Sequence, residues 1–214
     1  MTAQALEAPL RQGLDELGLR LDDGRVAALL DYLALLQKWN KVYNLTAVRD
    51  LAEMLTHHLL DSLAAVPPLQ KHLAGRTDAR LLDVGSGGGL PGVVFAICLP
   101  QLQVHCVDTV AKKAAFLQQA AAALRLPNLR GIHARVETLA GQDYDVVSSR
   151  AFASLADFVT WSRQARSPQG VWLAMKGKRP TEEIAALPAG VAVFHVEQLT
   201  VPQLDAERCI VWLR

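Results

Sequence analysis

Asp83-Val-Gly-Ser-Gly-Gly-Gly89 follows the apolar pair Leu81-Leu82 and runs directly into Leu90-Pro-Gly-Val-Val-Phe-Ala-Ile-Cys98. The order reads as strand, glycine turn, helix. Glycines at a strand end let backbone approach a ligand more closely than any Cβ permits. Pro91 fits the first turn of the following helix, where a missing N–H costs nothing. The stretch therefore predicts a ligand at this turn. Gly87-Gly-Gly-Leu-Pro-Gly92 satisfies the G-x-G-x-x-G pattern of dinucleotide sites, although a cluster of glycines meets that pattern easily. The acid ahead of the first glycine argues differently. A pyrophosphate prefers a bare helix N-terminus, whereas the Asp83 carboxylate orders the loop and favours a ligand with positive charge.

From Arg80 onward strands alternate with helices. Strands are expected at 80–84, 102–107, 129–133, 144–149, 170–175, 191–196 and 208–213, and helices at 90–98, 110–124, 154–166 and 180–187. Such alternation predicts a parallel sheet covered on both faces. The last two strands are joined without a helix, so the final strand is expected to be antiparallel. Asp108 ends the second strand at the spacing where an acid meets ribose hydroxyls in nucleotide-binding folds. It also stands where an Asp would cap the next helix. Either role fits, and the two can coexist.

The first eighty residues read as helical. Leu6, Leu10, Leu14 and Leu17 recur at helical spacing, Asp22-Asp-Gly24 breaks the run, and Val26, Leu29, Leu30, Leu33, Leu36 and Trp39 form a second stripe. A third helix is expected from Asp50 to Val66, stopped by Pro67-Pro68. Residues 1–79 are thus expected to form a helical cap on a domain spanning 80–214. Trp39 and Tyr43, four apart on one face, read as core.

With 51% hydrophobic residues and net charge +1, the chain has ample core and is not a general polyanion binder. Residues 1–79 hold 8 Lys and Arg against 10 Asp and Glu, while 80–214 hold 14 against 11, which places a small basic excess with the glycine motif. Cys98, Cys106 and Cys209 sit in apolar runs and read as buried thiols of a reducing cytosol. No signal peptide is visible, and the longest apolar run is too short to span a bilayer. A cytoplasmic monomer without a membrane partner is expected. His57-His58 with Asp61 invites a metal reading, but no third ligand is evident, so a structural hydrogen bond is preferred and no metal is expected.

Asp-x-Gly-x-Gly-x-Gly from Asp83 to Gly89 resembles the first motif of S-adenosylmethionine-dependent methyltransferases. More specific segments are Trp39-Asn-Lys-Val-Tyr-Asn-Leu-Thr46, His58-Leu-Leu-Asp-Ser-Leu63, Ala134-Arg-Val-Glu137, Ser149-Arg-Ala-Phe-Ala-Ser-Leu155 and Met175-Lys-Gly177. Through these the chain resembles, over nearly its whole length, the bacterial small-subunit ribosomal RNA guanine-N7 methyltransferases, also called glucose-inhibited division protein B. The resemblance implies a class I methyltransferase fold: α/β, with a seven-stranded, mostly parallel sheet, an antiparallel final strand and an N-terminal helical cap. It implies S-adenosylmethionine as cofactor, and 16S ribosomal RNA or the small-subunit particle as partner. Cofactor contacts are then expected at Asp83, Gly85, Gly87, Gly89, Leu90, Asp108, Val136, Glu137 and Arg150. Gly88 stands where some relatives have Pro, which is expected to loosen the loop.

The chemistry agrees with an N7 target. Guanine N7 keeps a lone pair at neutral pH and attacks without losing a proton, so alignment suffices and no general base is required. There is no Pro-Pro-aromatic segment after Ser149 of the kind that amino-methylating enzymes use, and no nucleophilic cysteine. Arg150 is the candidate to orient guanine through O6, with Lys176 second. Arg135, Lys176 and Lys178 follow strand ends and are candidates to hold RNA phosphates. The rival readings are a nicotinamide oxidoreductase, a methyltransferase of another RNA or a small molecule, and a non-catalytic RNA-binding assembly factor.

Overall fold

The computed structural model describes residues 2–214. After a 3-10 turn at Ala3–Leu6, the N-terminal part comprises α1 (Glu7–Glu16), α2 (Asp23–Tyr43), α3 (Leu51–Met54), a π-helical segment (Leu55–Leu60), α4 (Asp61–Leu63) and α5 (Val66–Leu73). Asp22 caps α2 by accepting from the Arg25 N–H at 2.9 Å, so Asp22-Asp-Gly24 starts a helix as well as separating two. Pro67-Pro68 does not stop the third helix as expected. The prolines stand at the first positions of α5, where proline is tolerated because those N–H groups have no intrahelical partner.

From Arg80 the chain alternates as expected. It forms β1 (Arg80–Val84), α6 (Gly92–Cys98), β2 (Gln103–Asp108), α7 (Ala111–Ala123), β3 (Leu129–His133), β4 (Tyr144–Arg150), α8 (Leu155–Ser162), β5 (Arg166–Lys176), α9 (Thr181–Ala185), β6 (Val193–Leu199) and β7 (Arg208–Leu213). The sheet has seven strands in the order β3-β2-β1-β4-β5-β7-β6. β1 to β5 pair in parallel, while β7 lies antiparallel to both β5 and β6.

Strand alternation divides the core. Leu81, Val104, Cys106, Val146 and Leu173 point to one face, where they join α6, α7 and the apolar stripes of the N-terminal helices. Leu82, Val84, Val107, Val147 and Trp172 point to the other, under α8. The N-terminal helices thus share one apolar core with a sheet face. All three cysteines are free and buried, and burial pushes the Cys98 thiol up to about 12. Among the described residues no helix is long and apolar enough to cross a membrane.

Candidate cofactor site at the carboxyl edge of the sheet

The order of strands reverses at β1 and β4, and open α/β sheets bind ligands outside the carboxyl ends at such a point. The glycine turn leaves β1 there. Gly85 N–H donates to Val107 O at 2.9 Å, and Gly87 N–H donates to the Asp108 carboxylate at 3.0 Å. Gly85 has φ +64, and a Cβ built on it would collide with the ring of Phe152. Gly89 (φ +89) is closed in the same way by Val93 and Leu117. These positions need glycine both for conformation and for space.

Two buried acids organise the turn. Asp83 is fully buried beneath it. Its carboxylate accepts from Ser148 Oγ at 2.9 Å and from Gly92 N–H at 3.1 Å, tying β1 to β4 and to the start of α6. Burial pushes the Asp83 carboxyl up to about 7, against the pull of the Ser148 and Gly92 hydrogen bonds and the Arg150 charge. Because the folded value exceeds the ordinary 3.8, the folded protein holds a proton that the unfolded chain has lost between about pH 4 and 7. Stability from this group therefore falls as pH rises through that window. Asp83→Asn should remove the slope. The difference in unfolding free energy between variant and parent should grow from about pH 4 and level off above about 7. A pH-independent difference would contradict this account of Asp83.

Asp108 serves both structural and exposed ends. Its carboxylate accepts from Gly87 N–H and, at 2.9 Å, from Val110 N–H at the start of α7, with Lys113 Nζ 3.7 Å away. Asp108 thus closes a turn ahead of α7 without capping it, since Val110 is the N-cap residue, and the same side chain lines the cavity beside the glycine turn.

That cavity has a volume of about 400 Å³, within the range of small-molecule sites. Of the residues singled out in the sequence, Gly85, Asp108, Arg135, Val136 and Glu137 line it. Asp83 and Leu90 do not: Asp83 lies under the turn and Leu90 is packed into the core. Gly87 and Gly89 shape the turn without lining the cavity. Phe152 and Trp161, which the sequence reading passed over as cofactor-site residues, form a further wall. The signal for them was faint, since aromatic residues in apolar surroundings usually mean core.

Two of the expected cations have partners within the protein. Arg150 ends β4, but its guanidinium turns toward the N-terminal helices. It donates to His57 O at 2.8 Å and to the Asp61 carboxylate at 3.0 Å. Asp61 is buried and also accepts from Arg208 Nε at 2.7 Å. Lys176 donates to Ala153 O at 3.1 Å and to the Glu183 carboxylate at 2.8 Å, so it is not a free phosphate ligand. Lys178 and Arg135 are exposed, and among the described residues neither enters an ion pair.

The N-terminal helices clasp the outer side of the turn. The buried Tyr32 hydroxyl donates to Gly88 O at 2.6 Å, and a Cβ on Gly88 would meet Leu36. The loosening expected at Gly88 is thus offset by direct anchoring. Tyr32→Phe leaves a buried carbonyl without its donor and should cost about 1–3 kcal/mol in unfolding free energy, with a several-fold loss of cofactor affinity. Unchanged stability would contradict the anchoring role. Asn40 knots the next segment, accepting from Thr46 N–H at 2.9 Å and donating to Val48 O at 3.1 Å. His58 faces Thr46 Oγ at 2.6 Å. Burial and the Arg150 charge lower its pKa to about 4. It is a neutral structural histidine, and among the described residues no group of three or more His, Cys, Asp or Glu side chains is placed to hold a metal ion. Trp39 packs against Phe116 (5.4 Å between ring centroids), whereas Tyr43 is partly exposed.

Strand order, antiparallel terminal hairpin and a glycine turn over a buried acid define a class I methyltransferase, a class that uses S-adenosylmethionine as methyl donor. A methyltransferase from Aquifex aeolicus, described as S-adenosylmethionine-dependent, superposes with a TM-score of 0.57 at 14% identity, over 83% of this chain and 97% of that one. More specifically, the model of the GidB family, described as rRNA small subunit methyltransferase G, matches residues 25–211, and the chain belongs to that family. Ribosomal RNA small subunit methyltransferase G of Acidovorax ebreus is 72% identical over 98% of this chain and 96% of its own length. The namesake from Paracidovorax citrulli is 68% identical over 100% and 92%.

Proposed function

We propose that the protein transfers the methyl group of S-adenosylmethionine to N7 of a guanine in 16S ribosomal RNA. Family membership supports the methyl donor and the ribosomal RNA acceptor. The observation that carries the reading to individual residues is the cavity that joins the Gly85 turn to Asp108 and the Val136–Glu137 segment. Its residues fit the cofactor. The Gly85 turn is closed to any Cβ, an acid stands at the tip of β2, and an apolar side chain follows β3. Asp108 would accept the ribose hydroxyls, Val136 and Glu137 would border the adenine, and Gly85 would lie against the methionine part. When bound, the cofactor supplies a methyl group on a sulfonium.

What remains for the protein is alignment. Guanine N7 already carries its lone pair, so no side chain has to remove a proton. Asp83, Gly87, Gly89 and Leu90 support the turn from below. Arg150 acts as a positioning residue, coupling the end of β4 to the N-terminal helices through Asp61. In this reading residues 1–79 serve as a cap that braces the turn of a methyltransferase domain spanning 80–214, without a metal and as a monomer. Exposed Arg135 and Lys178 would meet RNA phosphates.

The test is transfer of labelled methyl to small-subunit RNA that lacks its own modifications, followed by nucleoside analysis. Label in 7-methylguanosine at one site is expected. Label in another nucleoside, or in protein, would overturn the acceptor assignment.

A further inference from the structure

Transfer to N7 places positive charge on the purine, and this sets a requirement at the end of β4. A free cation there would oppose the reaction. The cations that end β4 and β5 are committed elsewhere: Arg150 to Asp61 and His57 O, Lys176 to Glu183 and Ala153 O. The cavity lining also includes Asp108, Lys113, Arg135 and Glu137, but the large side chains it takes from the chain after β4 are aromatic, Phe152 and Trp161. Phe152 packs on the Gly85 turn. It is braced edge-to-face by Trp161 (5.8 Å between centroids, 81° between planes) and by Phe158 (6.5 Å, 79°). Phe158 is buried in the core, whereas Trp161 is 41% exposed at the cavity wall.

The backbone is built to hold this ring. Ala151 takes φ +51, a left-handed conformation that costs a non-glycine residue about 1–2 kcal/mol. The reversal turns the next side chain back over the glycine turn. Lys176 holds the Ala153 carbonyl, Glu183 accepts from Leu155 N–H at 2.7 Å, and Ser154 caps α8 by accepting from Asp157 N–H at 3.1 Å. A strained, pinned loop presenting an aromatic face at a reacting centre fits preorganisation for binding.

We propose that Phe152, braced by Trp161, is the surface on which the acceptor purine stacks, and that its ring face stabilises the positive charge arriving on that purine. The inference rests on the methyltransferase reading given above. Stacking of a base on an aromatic ring and attraction of a cation to its face act together here. The ring gains most when the purine is most positive, which makes it a contribution to rate as well as to binding. The assignment also gives Lys176 and Glu183 their role as positioning residues for the loop.

Two series test it, with single-turnover methyl transfer to unmodified small-subunit RNA and equilibrium cofactor binding as readouts. Phe152→Leu should slow transfer at saturating cofactor by about 10- to 100-fold, the span expected for a lost stacking partner, with a smaller loss of cofactor affinity because the ring also walls the cofactor cavity. Phe152→Trp should restore most of the rate. The second series replaces Phe152 by fluorinated phenylalanines, which keep the ring's outline while draining its face of negative charge. The rate should fall stepwise with fluorine number, in protein of unchanged unfolding midpoint. A flat fluorine series, or equal losses of cofactor affinity and rate in Phe152→Leu, would overturn the proposal while leaving the methyltransferase reading intact. Parent protein that binds the cofactor but labels no guanine would overturn both.

Discussion

Gly85→Asp should abolish cofactor binding, weakening it by at least about 100-fold, or about 2.8 kcal/mol. Three effects act in the same direction. The position has φ +64, so any side chain other than glycine's is strained. The first carbon of that side chain meets the Phe152 ring, which lines the same cavity and must move into it. The turn itself is fixed by the Val107 carbonyl and the Asp108 carboxylate and cannot retreat. Calorimetric titration of variant and parent reads the effect directly, and thermal unfolding separates it from loss of the fold. Parental affinity in a folded Gly85→Asp protein would remove this turn from the cofactor site. Gly85→Ala should be milder, because the ring has a smaller group to clear.

Asp61→Ala should destabilise the fold by about 3 kcal/mol, the lower end for removing one member of a buried ion pair. The lower end applies because the Arg150 and Arg208 side chains keep 20% and 24% of their surface in water, while Asp61 keeps 3%. The carboxylate receives guanidinium bonds from the end of β4 and the start of β7, and its helix belongs to the N-terminal segment. Its removal leaves two cations facing each other at the junction. Urea unfolding should show a lower midpoint. Asp61→Asn, which keeps the volume and one acceptor oxygen but turns an NH2 toward the other guanidinium, should fall between variant and parent. Transfer rate should drop as well, since Arg150 then loses its hold on the cap side of the β4 end. An unaltered midpoint in Asp61→Ala would show that the network contributes nothing to the junction.

The fold was legible because its determinants are local. The switch to alternating apolar segments at Arg80, the glycine run and the helix-free link before the last strand carry the sheet and its antiparallel end. Pro67-Pro68 misled because the same residues that end one helix can open another, and only the path of the chain decides. In the site, Gly85 and Asp108 were readable from their places at strand ends, and Val136 only through the resemblance carried by Ala134-Arg-Val-Glu137. The intramolecular partners of Arg150 and Lys176 were not legible for a physical reason. The two charges are visible in sequence, but what they pair with is not: Asp61 lies 89 residues from Arg150, and Glu183 sits on a separate short helix. Phe152 lay in plain view within Ser149-Arg-Ala-Phe-Ala-Ser-Leu155. What marks it out is the left-handed turn at Ala151 and the ring against Gly85, both of which exist only once the chain is folded.

The most direct measurement is a crystal structure of the protein with S-adenosylmethionine bound. The account predicts the ribose hydroxyls on the Asp108 carboxylate, the adenine beside Val136 and the methionine part against the Gly85 turn. It places the sulfonium methyl toward the carboxyl end of β4, open to a purine beside Phe152. A cofactor seated away from Asp108 and Gly85, or a methyl directed into the protein and away from the β4 edge, would contradict it.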